Sequence, residues 1–364
     1  MGERTSSFAK INLGLRIGRL RADGFHELRT VYQTIALHDV IGVVIERGSG
    51  IEIRCADLRV PRDSSNTCWK VAERVAGPLK VRGRVVIEIE KKLPVQGGLG
   101  GASGNAVAVM LALERALRKN LSWADRLRIA AEVGSDLPLF LIGGTVLGLG
   151  RGEEVYPLPD LPAMSCVIAL PQIAVSTPQA FADWDGLTTT SHSESVRRGL
   201  KSEKQVPQLG MTTLRGNTDE RASTAKLTAC SHSDRMLESG REISAWLAAG
   251  FGNRERRKSG VSARGGGRAE NPLLDLVRTG IENDFERVVF PKYPELHKVK
   301  SVLQEAGAEY VSLSGSGSAV YGLFQSRAQA ERAARKLERD GTRAVVTSTL
   351  TRRQYWKKLL AFSS

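Results

Sequence analysis

The sequence predicts an α/β (α+β) protein of two domains, and three features carry that prediction. A chain of 364 residues with 41% hydrophobic positions can bury one large core or two ordinary ones. A strand-like run, Arg84-Val85-Val86-Ile87-Glu88-Ile89-Glu90, feeds a glycine-rich segment that opens into a strongly apolar helical run. Far downstream, between Ala308 and Phe324, a second glycine-rich turn lies between two apolar runs.

Taken in chain order, the region from Phe8 to Asn66 reads as short strands and turns, with period-two alternation at Val31 to Leu37 and at Ile41 to Ile45. The strand at Arg84 to Glu90 follows, and then a helix over about Asn105 to Leu117. Another helix is expected to start at Ser122, capped by that side chain with Asp125 in the third helical position, and to stop at Gly134 as a left-handed terminator. Asp136 therefore falls just past a helix end. From about Trp184 to Glu270 the chain is rich in Ser, Thr, Gly and Arg, with fifteen Lys or Arg against ten Asp or Glu. This stretch reads as an insertion. Within it Asp234 to Leu247 has helical spacing, and the basic run 253–268 is expected to be disordered. A helical pattern returns over Asn271 to Phe290. The predicted domains are residues 1–162 and 163–364, the insertion belonging to the second, and there is no internal repeat.

The formal charge of +14 favours an acidic partner, whether nucleic acid, anionic lipid or a phosphorylated small molecule. Aromatic residues make up only 5% and do not interleave with basic ones, so nucleic acid is not expected. No stretch of eighteen apolar residues predicts a membrane span. Cys55, Cys68, Cys166 and Cys230 are widely spaced and form no C-x-x-C pair, which points to reduced thiols in a cytoplasmic protein.

The segment from Pro94 to Asn105, P-V-Q-G-G-L-G-G-A-S-G-N, sits between the strand and the apolar helix. Its glycines let backbone approach a ligand closely, and the unpaired amides and dipole of the following helix start favour phosphate. The pattern is neither G-x-x-x-x-G-K-[ST] nor a dinucleotide fingerprint. A plain surface loop is the bland alternative, and the position between a strand and an apolar helix speaks against it.

This segment resembles the phosphate-binding motif of the GHMP kinases. Three more sets of residues, in the same order along the chain, resemble the branch of that family acting on 4-diphosphocytidyl-2-C-methylerythritol (CDP-methylerythritol). They are Phe8-Ala9-Lys10-Ile11-Asn12-Leu13 with Asp23-Gly24-Phe25-His26-Glu27-Leu28; Gly134 to Phe140 with Gly150-Arg151-Gly152-Glu153; and Asn283-Asp284-Phe285-Glu286 through Pro294 to Ser314-Gly315-Ser316-Gly317-Ser318.

The resemblance implies an N-terminal domain like ribosomal S5 domain 2 and a ferredoxin-like C-terminal domain. It implies ATP along Pro94, Val95, Gln96, Gly97, Gly98, Leu99, Gly100, Gly101, Ala102, Ser103 and Gly104, closed on the phosphate side by Ser314, Gly315, Ser316 and Gly317. Mg²⁺ would come with ATP rather than in a protein cage, Ser103 being the residue that could touch it. Lys10 and Asp136 take the catalytic places: a carboxylate to accept the attacking hydroxyl's proton and an ammonium to hold developing charge. Asn12, Phe25, His26 and, after Val175-Ser176-Thr177, Phe181 take the substrate places. A monomer or homodimer is expected.

Some positions depart from the family pattern. Phe25 stands where tyrosine is usual, Gln96 and Ala102 replace glycines, and Gly104 replaces the second of two serines. If Ala102 needed positive φ, its methyl would cost about 1 kcal/mol. The rival readings are another GHMP kinase, acting on mevalonate, homoserine or a sugar, a basic RNA-binding protein on a related fold, and a kinase that has lost activity. Asp23 to Leu28 speaks against the first of these, and the retention of Lys10 and Asp136 against the last.

Overall fold

The computed structural model describes residues 2–95, 97–188 and 282–361. Gln96, Cys230, the helical spacing at Asp234 to Leu247, the basic run 253–268 and most of the pattern expected from Asn271 lie outside the described residues.

Two long antiparallel strands, β1 (Glu3–Leu20) and β2 (His26–Glu46), pair along nearly their whole length. Short strands are expected here from the alternation, and the difference has a definite cause. The ladder shifts register at Phe8/Ala9, Asn12/Gly14 and Ile17/Leu20. Each bulge bends the pair and changes which face is buried without ending the strand, so the period-two pattern breaks while the hydrogen bonding continues. One end of β2 pairs with β4 (Arg84–Glu90) and the other with β5 (Thr145–Leu149). β3 (Ile51–Cys55) runs parallel to β4, and β6 (Glu154–Pro157) completes the sheet beside β5. A second, antiparallel sheet has the order β10 (Arg343–Ser348), β7 (Ser165–Leu170), β9 (Val320–Phe324), β8 (Tyr310–Leu313).

Three apolar clusters hold these layers together. The first lies between the first sheet and the helices α1 (Thr67–Leu79), α2 (Gly101–Leu117), α3 (Trp123–Val133) and α4 (Leu137–Ile142), and includes Ile41, Val75, Ile87, Met110 and Phe140. The second joins the two sheets face to face through Ile11, Leu13, Ile35, Ile168 and Tyr321. The third covers the outer face of the second sheet with α5 (Glu286–Lys292), α6 (Pro294–Glu305) and α7 (Arg327–Arg339). Trp184 is fully buried in this third core, on a helix that includes 177–188, so core structure continues past the point where composition changes. The last helix, α8 (Arg352–Leu360), crosses back to the first cluster, where Tyr355 and Leu359 are buried.

The helix after the glycine loop begins at Gly101, not Asn105, because Gly100 turns through φ 67 and the small residues Gly101 to Gly104 supply the first turn without an apolar signature. Ala102 lies inside that turn and has no positive φ, so the strain considered for it does not arise. Ser122 caps α3 as expected, accepting from Asp125 N at 3.0 Å. Gly134 ends that helix but is not left-handed. Its φ of 179 is extended backbone open to any residue, since the chain passes directly into α4. Among the described residues, no helix is long and apolar enough to cross a membrane.

Candidate active site

Lys10 and Asn12 are alternate residues of β1 and both are buried. The ammonium of Lys10 donates to Asn12 Oδ1 at 2.7 Å and stands 3.3 Å from Asp136 Oδ2. Asn12 in turn donates to Thr30 Oγ1 at 2.7 Å, which ties the group to β2. Asp136 occupies the position just before α4, with φ −85 and ψ −7, and its side chain makes no capping bond. Its carboxylate is therefore available to Lys10 and to Tyr32, whose hydroxyl donates to Oδ1 at 2.9 Å. Lys10's side chain is 4% exposed against 32% for Asp136, so the ion pair sits at the floor of an opening with its carboxylate facing outward. Burial first, and then the negative charge of Asp136, push the Tyr32 phenol well above its usual range, and it remains a donor.

The glycine loop lies against this group. Leu99 O accepts from Lys10 N at 2.9 Å, so the loop runs along β1 itself. The start of the loop hangs on Asp39, which is fully buried. Asp39 Oδ1 accepts from Lys92 N and Leu93 N, each at 2.7 Å, and Oδ2 meets Lys91 Nζ at 2.6 Å and Asn105 Nδ2 at 3.0 Å. One carboxylate thus joins β2, the loop entry and α2. The second glycine turn packs on the first: Ser314 Oγ donates to Gly98 O at 3.0 Å, and a Cβ at Gly98 would collide with Ser314 O. Asn283 shapes the second turn by donating to Leu313 O and Gly315 O, and Glu286 Oε1 accepts from Ser312 Oγ and Leu313 N. At Gly104 a Cβ would stand 2.8 Å from Phe8 O and 3.0 Å from Ser7 Oγ, so a side chain there requires a shift of β1.

Two cavities meet at the loop. One of about 680 Å³ is bordered by Lys10, Asn12, Phe25, His26, Tyr32, Asp136, Phe181, Gly315 and Ser316. The other, about 350 Å³, is bordered by Pro61, Asn66, Cys68 and Lys91 together with Pro94, Val95 and Gly97 to Ala102. Both share Gly98 and Gly100. Ser103 and Gly104 border neither, and Ser314 and Gly317 lie behind the loop.

The rings expected around a base all reach the larger cavity but do not form a simple slot. Phe181 stacks on His26, with centroids 4.9 Å apart and planes 12° apart, and its edge meets Phe285. Such stacking covers one face of each ring. His26 Nε2 also lies 2.8 Å from Asp185 Oδ1. Phe25 is half exposed, and the Arg151 guanidinium lies over its ring at 5.0 Å. Sequence reading missed Tyr32, Asp39 and Asp185. Tyr32 sits in an alternating run that reads as core, Asp39 is a single acid between strand residues, and Asp185 falls where composition turns polar. Among the described residues, no group of three or more His, Cys, Asp or Glu side chains could hold a metal ion.

Residues 66–144 match the GHMP kinases N terminal domain, and residues 270–343 match the GHMP kinases C terminal. The chain is 32% identical over 358 residues to a 4-diphosphocytidyl-2-C-methyl-D-erythritol kinase of Solibacter usitatus, covering 98% of this chain and 92% of that protein. It is 33% identical to the enzyme of the same name from Acaryochloris marina, over 91% of this chain and 89% of the relative. A crystal structure of 4-(cytidine 5'-diphospho)-2C-methyl-D-erythritol kinase superposes with a TM-score of 0.61 at 26% identity, covering 95% of this chain and 98% of that one.

Proposed function

The chain belongs to the GHMP kinases, in the branch of the 4-diphosphocytidyl-2-C-methyl-D-erythritol kinases, and on that premise we propose that it transfers the γ-phosphoryl group of ATP to the 2-hydroxyl of CDP-methylerythritol. The reaction lies on the non-mevalonate route to isoprenoids. The observation that carries this reading is likeness over 98% of the chain to an enzyme of that name. The geometry supports it, since Lys10 and Asp136 are in contact inside a cavity that also holds His26 and Phe181.

In this reading ATP lies along Pro94 to Gly104, with its base toward the smaller cavity and its phosphates toward Gly98 and Gly100, where the two cavities meet. The substrate occupies the larger cavity. Its 2-hydroxyl attacks the γ-phosphorus, the proton passes to the Asp136 carboxylate, and the bond to the β-phosphate oxygen breaks to release ADP. Lys10 offsets the charge that builds on the transferring group and keeps the carboxylate oriented. Mg²⁺ carried by ATP would supply positive charge that offsets the negative charge of the phosphates. Ser103, in the first turn of α2, is the hydroxyl that the family resemblance assigns to that ion, although it borders neither cavity. His26 and the aromatic rings select the cytosine end. A cytoplasmic location belongs to the same reading, in keeping with Cys55, Cys68 and Cys166, which are free and buried.

A coupled ADP-release assay with CDP-methylerythritol, mevalonate and homoserine offered separately tests this. ADP release is expected with the first alone. Equal turnover of mevalonate or homoserine, or steeply salt-dependent RNA binding with no ATP turnover, would overturn it.

A further inference from the structure

The segment Gly150-Arg151-Gly152-Glu153 carries no role in the reaction as described, yet it borders the ring of Tyr32. A Cβ on Gly152 would collide with the Tyr32 hydroxyl, and one on Gly148 would stand 2.5 Å from Tyr32 Cε2. The end of β5 and the following turn thus leave a slot that a phenol fills. The ring is 2% exposed and lies 5.5 Å from the Lys10 ammonium. Its hydroxyl emerges at Asp136 Oδ1, at 2.9 Å, while Lys10 faces Oδ2 at 3.3 Å.

We propose that Tyr32 is a positioning residue for Asp136, fixing the plane of the carboxylate from β2 while Lys10 fixes it from β1. An aspartate just before a helix, with no capping bond of its own, is free to turn about its last side-chain torsion. Two donors from two strands, one on each oxygen, remove that freedom and leave the outward lone pairs for a substrate hydroxyl. Glycine at 148 and 152 is what lets the phenol come that close. Glu153, whose charge also acts on the Tyr32 phenol, is held to Arg151 of the same turn at 3.2 Å.

The inference rests on Asp136 being the proton acceptor, and the test separates the two. Tyr32→Phe keeps the ring and removes the hydroxyl alone. We expect kcat to fall about ten- to a hundredfold, the usual loss for a hydrogen bond to a charged group, with KM for both substrates within about twofold. In an Asp136→Asn background the same change should alter the residual rate less than about twofold, because the charge it orients is gone. Gly152→Ala provides a second route: it should lower kcat more in the parent enzyme than in the Tyr32→Phe background, where no hydroxyl meets the methyl. If Asp136→Asn is crippled while Tyr32→Phe keeps full kcat, the positioning role is wrong and the base assignment stands. Equal loss from Tyr32→Phe in both backgrounds would likewise reduce Tyr32 to packing. If Asp136→Asn itself keeps full kcat, both fall together.

Discussion

Replacing Gly317 by alanine tests whether the two glycine-rich loops must touch for phosphoryl transfer. Gly317 does not have positive φ, so alanine carries no left-handed penalty and the effect is steric. Its Cβ would stand 2.5 Å from Gly98 N, 2.7 Å from Gly97 C and 2.8 Å from Gly98 Cα. All three are backbone atoms with no rotamer by which to escape. Ordinary contact begins near 3.4 Å, so one loop must retreat by about 1 Å. Overpacking of this kind costs about 1–3 kcal/mol, which in a chain of this size lowers Tm by a few degrees. The catalytic cost should be larger, because a displacement of about 1 Å at a reacting centre can reduce rate about 10²-fold. The assay is steady-state kcat and KM for ATP beside a thermal melt. Gly315→Ala is the contrast: its φ of 60 makes alanine strained, yet its Cβ meets nothing closer than 3.5 Å. That variant should lose about 1 kcal/mol of stability without parting the loops, and any fall in kcat would come instead from its methyl standing 3.5 Å from Lys10 Nζ and Asn12 Oδ1. A Gly317→Ala enzyme with kcat within twofold of the parent and an unchanged Tm would refute the claim that the loops must meet.

Asp136→Asn should lower kcat by about 10²- to 10⁴-fold while substrate affinity is largely kept, as single-turnover and binding measurements can show. Lys10→Ala also lowers kcat. The double variant should be hardly worse than the poorer single one, since the pair at 3.3 Å acts as a unit, and additive losses would mean that the two act separately. His26→Ala is expected to raise KM for CDP-methylerythritol about 5- to 100-fold with KM for ATP unchanged, and equal weakening of both would remove His26 from the cytosine end. Cys68 borders the smaller cavity, but burial pushes its thiol up to about 12, so at pH 8 only about one molecule in 10⁴ carries the thiolate. Peptide mapping after iodoacetamide should therefore find it unlabelled in the native protein and labelled in urea, and fast native labelling would show that the cavity is open to reagent at that depth.

Features whose chemistry lies in consecutive residues were legible without the fold. The glycine-rich loop, the strand before it, the cap that Ser122 provides for α3 and the turn at Ser314 to Ser318 each depend on neighbours a few residues apart, and residue type alone specifies them. Lys10 and Asp136 were singled out through resemblance, because each sits in a short segment similar to a family motif. Their meeting at 3.3 Å was not written in either segment. It depends on β1 and β2 running on through three bulges, where alternation reads as a break, and on α4 being held from the far end of the chain. There Tyr355 donates to Phe140 O at 2.6 Å and Trp356 to Ile142 O at 2.9 Å. Arg352 grips the carbonyls of Gly143, Thr145 and Leu158. The partners Asp39, Asp185 and Asn283 belong to the same class. Sequence determined which residues could carry phosphate chemistry, since that follows from functional groups and local backbone. Tertiary structure decided which of them touch, because register shifts and packing between distant segments set distances that no single segment encodes.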